Sequence, residues 1–289
     1  MQPNDVKPKS DLHSLEAGLD ALQLSQISTE KRSIWERVLP PLAAIALVGI
    51  AWQWVFNMGF QPEWVIPSPQ MVWFALQDQW QQGIVFDAVF NSLKRGITGF
   101  LMAVVIATPI GILVARVQII RNVFGPVLAG LQQLPSVAWV PAAVIWFGLT
   151  PKTIYAVILL GAVPSIANGL VAGINQIPPL LLRVGKVMGA KGFATVRHIL
   201  LPAALPGYLA GLEQGWAFAW RSLMAAELIA ISPELGAGLG QMLEMGRTLG
   251  DMSLMLGTII LILVAGIAVE RLGFSPIRRR VLSNRGLGR

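Results

Sequence analysis

Long stretches of this chain contain no charged residue, and they constrain its fold more than any other feature. Four examples are residues 96–115, 122–151, 153–182 and 252–269. A predominantly apolar helix of about 20 residues crosses the hydrocarbon core of a bilayer. Soluble domains carry about a quarter charged residues, whereas here only 13% of 289 residues are charged and 54% are hydrophobic. The chain is therefore predicted to be an all-α polytopic membrane protein.

The apolar runs predict six transmembrane helices. Their expected ranges are about 38–59, 88–115, 124–148, 153–175, 205–231 and 252–273. Between the first two lies MVWFALQDQWQQG, whose Trp73 and Trp80 favour a short helix at the membrane interface. The predicted organisation is a polar tail over 1–35, a membrane domain over 36–275 and a basic tail over 276–289. The spacing of Leu12, Leu15, Leu19 and Leu22 allows an amphipathic helix in the first tail.

The distribution of cations predicts the orientation. Of 22 Lys and Arg residues, only Lys94, Arg95, Lys152 and Arg247 fall in connections on one side. Most of the others fall in the tails and connections on the opposite side. Because Lys and Arg accumulate in short cytoplasmic connections, both termini and the connection over 176–203 are expected to be cytoplasmic. The same rule accounts for the net charge of +7 without nucleic acid as a partner.

The connection over 176–203 interrupts this apolar chain with a short, basic, glycine-containing segment. Its second half reads MGAKGFATVRHILLP over 188–202. Gly189 and Gly192 favour a sharp turn between two short helices, because glycine adopts backbone angles that other residues resist. Pro202 is expected to end the second short helix. Such a hairpin can enter a groove on a soluble partner, although an ordinary basic loop anchored to lipid headgroups would show similar residues.

The spacing of Gly189, Ile199 and Leu201-Pro202 resembles the second half of the coupling loop of ABC-transporter permeases. That loop opens with Glu-Ala-Ala in the family, where this chain has Arg183, Val184 and Gly185. Further segments resemble the nitrate/sulfonate/taurine branch. They are VIPSPQMVWFAL, NSLKRGITGFLMAVVIATPIGILVA, QQLPSVAWVPAAVIWFGLTPK and AWRSLMAAELIA.

The resemblance implies a type I (MetI-like) importer permease in the bacterial plasma membrane. Two soluble ATPases would dock on the coupling loops of two permease copies, most simply a homodimer. An extracytoplasmic binding protein would deliver the cargo, with sulfonates or taurine favoured and nitrate or bicarbonate as alternatives. The residues expected to enter the ATPase groove are Gly189, Ala190, Lys191, Gly192 and Arg197. ATP would bind to the partner subunit, and no cofactor is expected in this chain.

Arg221 and Glu227 are the charges expected deepest in the membrane, within the fifth span. Ionisable groups in hydrocarbon are costly, so they normally face protein or a water-filled path. Arg221 is a candidate for contact with an anionic cargo or for a structural pairing, and Glu227 for a structural or gating role. Trp139 and Trp146 are candidates for lining the path, with ordinary helix packing as the alternative.

Other classes of membrane protein fit the sequence less well. No phosphate-binding GxxxxGK[ST] motif and no catalytic constellation is found, so the chain is not expected to be an enzyme. Cysteine is absent, and His13 and His198 are too far apart to indicate a metal site. Arg at every third position and a TVGYG filter, which mark ion channels, are missing. A secondary transporter driven by an ion gradient would usually show inverted repeats.

Overall fold

The computed structural model describes residues 34–232 and 235–283, and these residues are helical with short connections. The predicted amphipathic helix at Leu12–Leu22 lies outside them. The chain divides into two compact units, residues 1–58 and 59–289. The first contains α1 (Ile34–Asn57), which agrees with the predicted first span. The helices of the second unit are α2 (Pro69–Gln81), α3 (Ile84–Arg116), α4 (Gln118–Gln133), α5 (Val140–Phe147), α6 (Pro151–Asn175), α7 (Pro179–Val187), α8 (Gly192–Thr195), α9 (Leu201–Ile229), α10 (Leu239–Leu249), α11 (Met252–Val269) and α12 (Ser275–Ser283).

Within the described residues, four helical stretches are long and apolar enough to span a membrane. They are Leu39–Asn57, Ile84–Arg116, Pro151–Asn175 and Met252–Ser283. A fifth span results if α4 and the segment Ser136–Phe147 are counted together. The predicted fifth span corresponds to α9, which has 29 residues but is not among these apolar helices. The membrane assignment is thus confirmed, and the number of six spans stays a prediction.

The predicted third span is not one continuous helix. After α4 the chain bends by 100° before Ser136–Phe147. Leu134 and Pro135 have extended backbone angles, and a 3₁₀ turn at Ser136–Trp139 follows. A residue before proline is disfavoured in the helical region, and proline itself offers no N–H to continue a helix. The Leu-Pro pair therefore breaks the span.

The core of the second unit is formed by α3, α6 and α9. Gly99 of α3 packs on Ile158 of α6, and Gly111 packs on Ala167 and Leu170, so these two helices run parallel. Because α9 contacts α6 in the opposite order, it runs antiparallel to both. The end of this bundle that carries residues 176–200 is called the loop end below, and the opposite end is called the far end.

Glycines bring the backbones of α6 and α9 into direct contact. A Cβ placed on Gly211 would lie 2.7 Å from Gly169 Cα, and one on Gly207 would lie 2.6 Å from Gly173 Cα. Small residues at four-residue spacing allow this approach between membrane helices, where van der Waals packing replaces the hydrophobic effect. This glycine contact, made by Gly169, Gly173, Gly207 and Gly211, makes α6 and α9 one rigid pair.

Aromatic rings fill the space between α3, α9 and the end of α11. The Phe100 ring packs edge-on against Trp216 and Phe274, with centroids 5.7 Å apart in both pairs. Trp216 also stacks on Trp220 at 5.8 Å. Arg278 of α12 then bonds Glu213 of α9 across 3.0 Å. The predicted C-terminal tail therefore begins with a helix that is bound to the core through Glu213.

Candidate functional site

The loop end carries a helical hairpin whose turn is set by glycine. The Gly189 N–H bonds the Lys186 carbonyl at 3.1 Å, and the Ala190 N–H bonds the Gly185 carbonyl at 2.9 Å. Gly189 has a φ of 82°. These two bonds around a left-handed glycine form a Schellman motif, which satisfies the last carbonyls of a helix. The predicted sharp turn at Gly189 is thus confirmed.

The hairpin closes on itself because Gly185 has no side chain. A Cβ on Gly185 would overlap with Ile199 Cδ1. Ile199 lies in the π-helical segment Val196–Leu200, which connects α8 to α9. The two arms of the hairpin therefore touch at Gly185.

Gly185→Val is expected to splay the two arms apart, because the Ile199 side chain would have to leave its place. Overpacking of this kind costs about 1–3 kcal/mol. We expect the purified variant to keep its helical circular dichroism while trypsin cleaves within the hairpin several-fold faster. Gly185→Ala should show a smaller increase in the same direction. Equal cleavage of Gly185→Val and the native chain would contradict the contact.

Pro202 does not end the second arm, contrary to the sequence prediction. The helix continues from α8 through Val196–Leu200 into α9. In the π segment the Leu201 N–H bonds the Val196 carbonyl. Pro202 follows directly, and a local π turn is one way in which a continuous helix accommodates the N–H that proline lacks. The hairpin is therefore joined to α9 by an unbroken helical path.

The tip of the hairpin is apolar, which the sequence analysis missed. Val187, Met188 and Phe193 are 89%, 81% and 75% exposed. Exposed apolar residues that cluster on one surface mark sites of protein or membrane contact. Their signal in the sequence was weak, because every neighbouring segment is also apolar.

The predicted docking residues surround this apolar tip. Lys191, Gly192 and Arg197 are exposed, and Ala190 is half-buried. Within the described residues, neither Lys191 nor Arg197 lies within ion-pair distance of a carboxylate. Their charges are therefore available to a partner. The hairpin thus combines an apolar tip with free cations and a rigid connection to α6 and α9.

Arg221 lies near the middle of the far half of α9 and is exposed. Its Nε donates to the Ala217 carbonyl at 3.0 Å, and its guanidinium lies 4.6 Å from the centroid of the Phe218 ring. Along the same exposed stripe lie Ala210, Gln214 and Ala217. A lipid-facing stripe would instead be rich in large apolar residues. In the part of the chain that the structure describes, Arg221 has no carboxylate partner.

Glu227 is fully buried, in contrast to Arg221. Its Oε1 accepts a hydrogen bond from Arg95 Nη1 at 2.8 Å, and its Oε2 accepts one from Ser92 Oγ at 2.6 Å. The Arg95 guanidinium is therefore held within the protein by Glu227. Both carboxylate oxygens of Glu227 are hydrogen-bonded within the protein, and the side chain does not line an open path in this structure.

The two tryptophan candidates both lie after the break that follows α4, Trp139 in the 3₁₀ turn and Trp146 in α5. Trp139 is half-buried in the 3₁₀ turn, which packs against α6 and α9. Trp146 is exposed, and its ring packs edge-on against Phe147. A polar contact joins the same region, because Asn168 Nδ2 of α6 donates to Gln132 Oε1 at 2.9 Å. The described residues contain no group of three or more potential metal ligands.

The sequence of this chain matches a known family from within α3 to the π-helical segment Glu270–Phe274, which follows α11. The match covers residues 107–274, and the family is described as "Binding-protein-dependent transport system inner membrane component". The chain belongs to this family of ABC-transporter permeases. The resemblance noted from the hairpin and the spans is thereby confirmed, and the permease is an inner-membrane transport component.

Curated relatives extend the match. The permease is 31% identical to a putative ABC transporter permease of Methanocaldococcus jannaschii over 65% of this chain and 70% of that protein. It is 26% identical to the taurine transport system permease of Escherichia coli over 83% and 87% of the two chains. Other relatives of similar identity are named for riboflavin and for glycine betaine, so the cargo varies among these proteins.

The fold is also that of a solved transporter. A chain of the MetNI methionine ABC transporter, in an inward-facing conformation, superposes with a TM-score of 0.58 at 20% identity. The superposition covers 68% of the permease and 96% of that chain. At this identity the comparison establishes the shared fold alone.

Proposed function

We propose that the permease is the membrane subunit of an ATP-driven importer for small anions, with taurine or another sulfonate as the cargo. The hairpin at the loop end carries this proposal, since it offers an exposed apolar tip and unpaired cations on a rigid helical pair. A soluble ATPase with an apolar groove and acidic rim would match this surface. Nitrate or bicarbonate is an alternative cargo, and an ion-driven secondary transporter is the alternative class.

The loop end would then face the cytoplasm, as the distribution of cations suggests. Both termini would lie on that side. Two ATPase subunits would each bind one hairpin of a permease dimer, most simply two copies of this chain. A binding protein would deliver the cargo at the far end, and ATP would be held by the ATPase alone.

Arg221 supports an anionic cargo. A cation within a membrane helix is costly unless it faces protein or water, and Arg221 has no carboxylate partner among the residues that the structure describes. Its stripe of small and polar residues suits a path for a hydrated solute. The guanidinium can bind a sulfonate or carboxylate through two parallel hydrogen bonds.

Ala190→Trp tests the docking proposal. The bulky ring would protrude beside Lys191 and prevent the turn from entering a groove. We expect a tagged native chain to retain an ABC ATPase through purification in mild detergent, and the variant to lose it. Gln118→Trp, an exposed position at the loop end outside the hairpin, should retain it. Recovery of the ATPase with Ala190→Trp would exclude the hairpin as the docking site, and its absence from all samples would favour the secondary transporter.

Arg221→Gln tests the cargo class. Loss of the charged contact is expected to lower the uptake of radiolabelled taurine by about tenfold, which corresponds to about 1.4 kcal/mol. Arg221→Lys should retain part of the uptake, because the charge remains while the paired geometry is lost. ATPase recovery should be unchanged in both variants. Taurine uptake by Arg221→Gln at the native rate would show that Arg221 does not contact the cargo.

A further inference from the structure

Residues 235–238, which precede α10 at the far end, have little regular structure of their own. Four backbone groups of residues 235–240 bond side chains instead. The Leu239 N–H donates to Ser92 Oγ at 2.8 Å, and the Gly240 N–H donates to Glu227 Oε2 at 3.1 Å. Asn91 Nδ2 donates to the Ala237 carbonyl at 2.9 Å, and Arg95 Nη2 donates to the Leu235 carbonyl. The conformation of this segment therefore depends on side chains of α3 and α9.

These four side chains, Asn91, Ser92, Arg95 and Glu227, are called the clasp. Glu227 is its centre, because it binds Ser92, Arg95 and the Gly240 backbone at once. The segment lies directly on this carboxylate. A Cβ on Gly238 would be 2.8 Å from Glu227 Cδ, and one on Gly240 would be 2.5 Å from Glu227 Cβ.

A buried ion pair by itself contributes little to the free energy of unfolding. The cost of removing two charges from water can exceed their attraction, and well-packed apolar residues often serve as well or better. The clasp makes hydrogen bonds to specific backbone atoms, which apolar residues cannot make. Its effect is therefore to fix the position of residues 235–240.

The clasp also lies at the end of a rigid path from the hairpin. The hairpin continues through the π segment into α9, whose 29 residues span about 43 Å at 1.5 Å per residue. Glu227 lies two residues before the end of α9. The glycine contact with α6, and the packing of α6 on α3, hold the helices that bear all four clasp residues as one body.

We propose that the clasp positions residues 235–240 for transport, by fixing this far-end segment to the body that carries the docking hairpin. When the hairpin moves, residues 235–240 then move together with it. The inference rests on the proposed function, because it assumes that an ATPase moves the hairpin. Asn91, Ser92, Arg95 and Glu227 are positioning residues in this scheme and do not contact the cargo.

The first test uses the absence of cysteine from the native chain. Ala237→Cys introduces a single thiol into the half-buried part of the segment. In native membranes we expect an impermeant maleimide to label it slowly, and about tenfold faster when Glu227→Gln is added. Arg247→Gln is the matched control, because it removes another far-end ion pair, to Glu244, that does not bond the segment. Its labelling should equal that of Ala237→Cys alone.

Two further variants separate positioning from charge burial. Arg95→Met combined with Glu227→Met removes both charges and keeps apolar volume, yet it removes the hydrogen bonds to residues 235 and 240. We expect fast labelling in this background as well. Ser92→Ala is a small change that leaves the ion pair intact, and it should be labelled at an intermediate rate. Slow labelling of the double variant would overturn the inference. If the Glu227 variants do not fold, slow labelling of the Ser92→Ala variant would overturn it.

The second test compares transport with ATP hydrolysis in proteoliposomes that contain the permease and the ATPase recovered with it. For Glu227→Gln we expect taurine uptake to fall about tenfold while hydrolysis continues, since the hairpin is unchanged. An equal fall in uptake and hydrolysis would overturn the positioning role. If the native chain recovers no ATPase, the proposed function fails, and the labelling experiment still decides whether the clasp fixes the segment.

Discussion

Gly211→Leu is expected to leave almost no folded permease in the membrane. A Cβ alone at this position would lie 2.7 Å from Gly169 Cα, which is backbone and cannot move aside as a flexible side chain would. The remaining leucine atoms would force α6 and α9 apart along their length. Because membrane helices associate largely through such packing, the cost should exceed the roughly 1–3 kcal/mol of ordinary overpacking. The measurement is the monodisperse fraction in fluorescence-detected size-exclusion chromatography.

Gly130→Leu is the control for this prediction. It makes the same substitution in a helix, and nothing lies within 4 Å of a Cβ at Gly130. We expect this variant to give the native amount of monodisperse protein. Gly169→Leu, on the opposing helix, should behave like Gly211→Leu. Native yields from both Gly211→Leu and Gly169→Leu would show that α6 and α9 are not in backbone contact.

Phe193→Asp is expected to abolish recovery of the ATPase while the permease still folds. The ring is 75% exposed in the free chain, so its loss removes no internal packing. Burial of a Phe side chain at an interface contributes about 1.5–3 kcal/mol, and a buried, unpaired carboxylate adds a further penalty. Together these effects correspond to a loss of affinity of at least about 100-fold. The measurement is the ATPase-to-permease ratio after affinity purification.

Phe193→Leu separates loss of shape from loss of apolar character. It should retain most of the ATPase, since leucine keeps an apolar contact at the same position. Met188→Asp should act like Phe193→Asp, because Met188 lies on the same tip. If Phe193→Asp purifies with a full complement of ATPase, the apolar tip faces lipid or solvent in the assembly, and docking depends on Lys191 and Arg197 instead.

The membrane helices were predictable because each is specified by local composition. The ranges predicted for α3 and α6 agree with the structure to within four residues at either end, since charges and prolines mark these boundaries. The turn at Gly189 was predictable for the same reason, as few residues other than glycine adopt its backbone angles. Features that depend on local chemistry alone were thus available from the sequence.

The structure departs from the sequence prediction where the path of the helix depends on tertiary contacts. The sequence analysis predicted one span over residues 124–148 and not the break at Leu134-Pro135, because a proline can either kink a span or end it. Helix α10 was missed, since its 11 residues lie in a segment predicted to connect two spans. The continuation through Pro202 required a π segment, which has no clear sequence signature.

The clasp could not be found from the sequence. Arg95 and Glu227 are 132 positions apart, and the sequence identified Arg95 only as a cation in a connection and Glu227 only as a charge within the fifth span. Their pairing follows from the parallel and antiparallel arrangement of α3, α6 and α9, which glycine positions determine. Glu244, by contrast, forms its ion pair with Arg247 three residues away. Hydrogen bonding and attraction from Arg247 lower the pKa of the Glu244 carboxyl, and a pair three residues apart on one helix is of the kind that spacing can indicate.

The π segment at Val196–Leu200 determines how the hairpin is rotated about the axis of α9. Such segments correspond to one residue more than regular α-helical winding would hold. Each residue of an α-helix turns the chain by about 100°. Deleting a single residue here would therefore rotate Phe193 and its neighbours by roughly a quarter turn or more about the axis of α9. The orientation of the hairpin tip about the axis of α9 therefore depends on one extra residue in the π segment. It does not depend on which side chains form the tip.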